Sequence, residues 1–234
     1  MDTIKVTPEV SPEIGDEPIY ILDTETASLS GGIVEIAWLK IDKDFNVLDE
    51  YRTLVNPGRP IDPGAQAIHG ISMDDVVDAP TMEEVVEQTG VGKTPINICC
   101  HNAPFDARMI APYMQVGRKL CTLELARQYV KGTTNHKLAT LQEELALSVQ
   151  ESHTALGDVK SVRDLLQHIL PLAEVNLETL FARAMVPKML SKMPWGRHKD
   201  VPIIKVPSSY RTWLLEQADI GRDLRFTLEK LKNI

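Results

Sequence analysis

The sequence predicts an α/β protein: a mixed sheet with helices on both faces, followed by a small C-terminal module. Three observations carry that expectation. Three β-favouring runs follow one another closely between residues 18 and 55, as an antiparallel meander would. Beyond residue 80, short apolar strands alternate with stretches of helical spacing, which implies crossover connections. The charge also changes sign along the chain: residues 1–180 hold 14 Lys+Arg against 28 Asp+Glu, while residues 181–234 hold 11 against 5.

The first segment, MDTIKVTPEVSPEIGDEP, is acidic and carries three prolines, so residues 1–17 read as a flexible tail rather than a secretory signal. Strands are expected near 18–24, 32–41 and 45–55. The second alternates, with Ile33, Glu35, Ala37, Leu39 and Ile41 on one face and Val34, Ile36 and Trp38 on the other. NPGRPIDPG, residues 56–64, is a Pro- and Gly-rich loop. Helices are expected near 81–90, 104–114, 122–130, 138–147 and 155–170, with strands near 95–100 and 118–121. Leu138, Leu141 and Leu145 repeat at helical spacing and belong to the core. The main domain then covers residues 18–185, a linker flanked by Pro187 and Pro194 covers about 186–194, and a basic module covers 195–234.

Chemistry concentrates in three segments. In IYILDTET, the apolar run Ile19–Leu22 leads into Asp23 and Glu25, two residues apart and therefore on one strand face. Two carboxylates on one face suit hard divalent cations, although D-x-E alone is also the pattern of a solvated strand end. In HNAPFDAR, Asp106 falls near the start of a helix after a short strand. There it either favours the helix dipole or faces a ligand at the strand-to-helix corner. In HTALGDVKSV, Asp158 lies in a helix, and His153, five positions earlier, lies on the loop or first turn before it. An imidazole titrating near neutrality suits a general base.

With DTETASLSGGIVEIA, AIHGI, HNAPFDAR, CTLELAR and HTALGDV, the chain resembles the DEDD superfamily of 3′→5′ exonucleases from Ile19 to about Leu170. The match is to the histidine-bearing subclass, which includes the proofreading subunit of bacterial replicative polymerases. The resemblance implies a ribonuclease H-like fold and a two-metal phosphodiester hydrolase. Asp23, Glu25, Asp106 and Asp158 would bind two Mg²⁺ or Mn²⁺ ions, and His153 would be the general base. Thr26, Leu29, His69 and Asn102 resemble positions that receive the terminal nucleotides, Leu29 as an apolar wedge. The implied partner is a DNA 3′ end, single-stranded or frayed. RNA is the alternative substrate, and a second copy or a polymerase or repair protein are further candidate partners. A silent binding subunit would be expected to have lost a carboxylate or the histidine, and none is missing. Phe105, beside Asp106, is expected to pack rather than bind.

The whole-chain composition agrees with such an enzyme. At 234 residues and 43% hydrophobic, the chain can bury a core, and no apolar stretch approaches a membrane span, so the expected location is cytoplasmic. Cys99, Cys100 and Cys121 are expected to be reduced thiols on strands. Adjacent strand residues face opposite sides, which argues against zinc at Cys99, Cys100 and His101. The net charge of −8 is acidic for a nucleic-acid enzyme. The basic C-terminal stretch offsets this, with Arg197, Lys199, Lys205 and Arg211 near Trp195, Tyr210 and Trp213. Trp213 shares helical spacing with Tyr210 and Leu214 and is expected in that module's core.

Overall fold

Strand β1 (Ile19–Ser28) lies at the centre of a five-stranded sheet because both of its faces are covered: all its side chains are buried except those of Asp23 and Glu25, which are half-buried. The sheet is seen in a computed structural model that describes residues 17–148, 154–217 and 220–232. The expected tail therefore falls almost wholly outside the described residues. The chain divides into two compact units, one spanning residues 11–183 and the other containing residues 184–234.

In the larger unit, β1 pairs antiparallel with β2 (Gly31–Ile41), and β2 with β3 (Val47–Leu54). Three helices follow: α1 (Pro63–His69), α2 (Met73–Val76) and α3 (Met82–Thr89). Strand β4 (Ile96–Cys100) returns parallel to β1, helix α4 (Ala103–Ile110) follows it, and β5 (Val116–Cys121) lies parallel to β4. Helices α5 (Thr122–Tyr129), α6 (Leu138–Glu144) and α7 (Ala155–Ala173) complete the fold, with α8 (Leu177–Met185) reaching the boundary. The strand order is β3-β2-β1-β4-β5, a mixed sheet flanked by helices as expected.

The alternation in β2 is present, yet both of its faces are buried, because helices cover both sides of an interior strand. Tyr20, Leu22, Ile36 and Trp38 pack on one face against Met82 and Val85 of α3 and Ala107, Met109 and Ile110 of α4, with Phe105 at the margin. Trp38 also stacks on Tyr51 of β3 at 4.3 Å between ring centroids. On the other face, α7 crosses β1 and β2.

The loop expected at 56–64 is shorter than the sequence suggested. Pro63 opens α1 and Gly70, with φ 74°, closes it, the usual asymmetry of helix ends. The β1–β2 turn is tight: Gly32, at φ 80°, leaves no room for a Cβ, which would meet Arg59 Cδ at 2.8 Å.

The second unit has its own core of Met193, Ile203, Val206, Leu214, Ile220, Leu224 and Leu228. Its helices are α9 (Ser208–Glu216) and α10 (Arg222–Leu231), preceded by a single 3-10 turn at Ile203–Lys205. Arg225 donates to the carbonyls of Leu215 and Gln217 at 3.1 and 2.7 Å, satisfying groups exposed where α9 ends. Two expectations are corrected here. Residues 186–194 are no free linker, since Met193 is in the core and Leu190 packs against it. Trp213 is 49% exposed, because Leu214, not Trp213, is the α9 side chain turned fully inward.

Candidate active site

β1 presents Asp23 and Glu25 from the face opposite Leu22, toward the layer that contains α7. α7 supplies Asp158 from its first turn. One carboxylate oxygen from each of Asp23, Glu25 and Asp158 lies within 4.8 Å of the others. The start of α7 is fixed twice. Thr154 caps it by accepting from Gly157 N at 3.1 Å, and Glu35 Oε2 accepts from Ala155 N at 2.9 Å. Glu35 is itself fully buried on β2 and paired with the Arg52 guanidinium of β3. It therefore ties two strands to the helix that carries Asp158.

Asp106 arrives from the opposite layer. It lies in the first turn of α4 and accepts a hydrogen bond from Thr24 Oγ1 at 2.9 Å. Thr24 is the residue between Asp23 and Glu25, so strand alternation turns it to the α4 side. The central strand thus holds carboxylates gathered from both helical layers. Asn102 precedes α4 in the left-handed region, at φ 77° and ψ 46°, a conformation asparagine tolerates.

The electrostatics are those of an unneutralised acidic cluster. Burial pushes the Asp23 carboxyl well above the usual range, and Asp106, Asp158, Glu25 and Glu35 push it further. Glu25 rises to about 7 through burial, then through Asp158, Glu35 and Asp106. Asp106 also rises to about 7 through burial, against which the Thr24 hydrogen bond works. Carboxylates held this close stay ionised at neutral pH only if positive charge joins them. The donors are all hard oxygens, and a separation under 4.8 Å fits ligands reaching one ion at about 2.0–2.6 Å each. The residues present therefore fit a divalent metal ion.

Of the remaining residues singled out in the sequence, Thr26 and His69 are brought together. Thr26 is buried beyond a bulge in β1, and its backbone adjoins the His69 ring at the end of α1. Burial lowers the pKa of His69, and its Nδ1 accepts from Ile71 N at 3.0 Å, so the ring is neutral. Leu29 sits at the tip of the β1–β2 turn and is 83% exposed, with its carbonyl held by Arg108 of α4 at 3.2 Å. His153 lies outside the described residues. Sequence reasoning missed Glu35 and Thr24 as site-building residues. For Glu35 a signal existed, a charge in the middle of the apolar run Ile33–Ala37.

A five-stranded mixed sheet with this carboxylate set defines a class, and the family comparison agrees. The chain matches the exonuclease family model (RNase_T: Exonuclease) over residues 20–166. It belongs to that family, within the DEDD superfamily of 3′→5′ exonucleases, and is a 3′→5′ exonuclease, a hydrolase. It resembles Exodeoxyribonuclease 10 of Escherichia coli (strain K12), at 32% identity over 220 residues, 90% of this chain and 97% of that protein. A DNA polymerase III subunit epsilon-like protein of Rhodobacter capsulatus is 32% identical over 178 residues, 70% of this chain and 25% of that one. Among solved structures, exonuclease X in complex with 5′ overhanging duplex DNA superposes with TM-score 0.60 at 33% identity, covering 71% of this chain and 99% of that one. E. coli exonuclease I with a dT13 oligonucleotide shares the fold, with TM-score 0.55 at 16% identity over 68% of this chain and 42% of that one.

Proposed function

We propose that the chain is an exodeoxyribonuclease that removes nucleotides from DNA 3′ ends as 5′-monophosphates, using two Mg²⁺ or Mn²⁺ ions. The observation that carries this reading is the approach of Asp23, Glu25 and Asp158 oxygens to within 4.8 Å, with Asp106 entering from the other layer. The bound ions would supply an activated water and charge stabilisation for the leaving 3′-oxygen, a role suited to ions about 3.5–4 Å apart. Asp23, Glu25, Asp158 and Asp106 would hold the ions, with Asp23 as the shared ligand on the central strand. His153, five positions before Asp158 in sequence, is assigned the proton of the attacking water, as the resemblance to the histidine-bearing subclass implies. Exposed Leu29 is assigned to part the last base pair, and Thr26, His69 and Asn102 to receive the terminal nucleotide. A polymerase or repair protein is a partner class in keeping with the polymerase III relatives.

The decisive variant is Asp23→Ala. Loss of a bridging carboxylate should abolish hydrolysis of 3′-labelled and 5′-labelled DNA in Mg²⁺, with the circular dichroism spectrum unchanged. At alkaline pH, where the metal-free cluster is driven to ionise, removing one buried like charge should also raise the melting temperature. Near wild-type turnover by that variant would sink the assignment. A product ladder faster on RNA than on DNA would replace the substrate while leaving the site.

A further inference from the structure

In the second unit, the segment Pro194–Val201 folds back on itself: Met193 N donates to Val201 O and Asp200 N to Met193 O, both at 2.9 Å. Gly196, at φ 80°, lies so close to Tyr210 that an added Cβ would stand 3.2 Å from its hydroxyl. The turn is thereby seated on α9, and three aromatic rings form a row. His198 meets Tyr210 edge-on at 4.7 Å between centroids, and Tyr210 meets Trp213 at 5.4 Å. Trp213 and Trp195, half-exposed at 49% and 42%, leave ring surface open to solvent. Exposed Arg197 and Lys199 stand on the same turn, and exposed Lys205 precedes α9. Arg211, between Tyr210 and Trp213 in sequence, adds a further guanidinium to this stretch, its Nε buried without a hydrogen-bond partner among the described residues.

Open ring faces interleaved with cations match a chain of alternating bases and phosphates. The charge agrees: residues 181–234 carry 11 Lys+Arg against 5 Asp+Glu in a chain whose net charge is −8. We propose that the face formed by Trp195, Arg197, Lys199, Tyr210, Arg211 and Trp213 is a second nucleic-acid site that holds single-stranded DNA by stacking and phosphate contact. This rests on the reading of DNA as substrate and extends it, because these residues all lie outside the matched exonuclease region at 20–166.

The test is fluorescence anisotropy of the full chain with a labelled twenty-nucleotide thymidine strand, in EDTA, at several salt concentrations. Hydrolysis is silent in EDTA, so the titration stands whether or not the carboxylate site cleaves DNA. Trp195→Ala/Trp213→Ala should raise Kd roughly tenfold or more, since stacking contributes about 1–3 kcal/mol per base. Arg197→Gln/Lys199→Gln should flatten the slope of log K against log salt by about 1.4, two single-strand phosphate contacts. Lys43→Gln, an exposed charge on the β2–β3 loop, should leave Kd unchanged. Should the tryptophan variant misfold, the charge variant decides alone, because both of its positions are exposed. Unchanged Kd and slope in folded variants would overturn the proposal and reassign the face to a protein partner. Tighter binding of blunt duplex than of single strand would overturn it as well.

Discussion

At Asp23, Glu25 and Asp106, desolvation outweighs every other influence on ionisation, and this has a consequence in pH. Their ordinary values are 3.8 for aspartate and 4.5 for glutamate, and in the fold all three are raised, Glu25 and Asp106 to about 7. A raised pKa means that the fold binds these protons more tightly than the unfolded chain does. Their contribution to stability is then complete below the unfolded values and disappears as pH rises through about 7. In EDTA, the melting temperature should fall between pH 5 and pH 8. Magnesium binds the ionised form and should reverse that trend at the alkaline end. A metal-free melting temperature that is flat or rising over this window would contradict the burial of the cluster. Glu35 plays a different part at the same scale. In Glu35→Ala, Ala155 N and Arg52 would lose their partner, at a cost of about 1–3 kcal/mol, discounted because Arg52 is partly exposed. Denaturant unfolding should register that loss. Turnover should fall as well, since α7 and Asp158 would no longer be held. Unchanged stability and turnover would mean that the helix start is held by Thr154 alone.

Among the elements, the β1–β2 turn shows most clearly what sequence can and cannot tell. The apolar run before Asp23 and the glycine pair Gly31–Gly32 made the strands and their turn legible, and strand alternation made the shared face of Asp23 and Glu25 legible. α7 was legible from its apolar spacing. The contact between Thr24 and Asp106 was not, because it joins residues 82 positions apart and depends on α4 and β1 lying side by side. Glu35 to Ala155 N, 120 positions apart, failed to announce itself for the same reason. Trp213 was misplaced because periodicity identifies a helix face but not which of two adjacent large residues turns inward. Leu29 at the tip of the β1–β2 turn has no packing role that would explain an apolar side chain 83% exposed. Leu29→Ala should therefore leave unfolding unchanged and slow hydrolysis of blunt duplex roughly fivefold more than that of single strand, the equivalent of about 1 kcal/mol. Equal effects on both substrates would remove it from the role of wedge.

For the whole molecule, the sheet order β3-β2-β1-β4-β5 places β4 between β1 and β5, with Cys99 and Cys100 completely buried and Cys121 partly accessible. Among the described residues, no helix is long and apolar enough to cross a membrane. Burial pushes both inner thiols far from reactivity, so a thiol reagent reaches them only when the sheet opens. Where reclosing outpaces modification, the half-life of Cys99 and Cys100 measures the opening equilibrium. An ion held by β1 and α7 only in the closed sheet must lengthen that half-life by a factor of one plus concentration over Kd. At magnesium a hundred times Kd, the inner thiols should survive about a hundredfold longer, while Cys121 keeps a faster, less metal-dependent rate. Equal inner-thiol half-lives with and without magnesium would separate ion binding from closure of the sheet. The neighbouring strand thus gives the metal site a chemical clock, one that runs without DNA and without turnover.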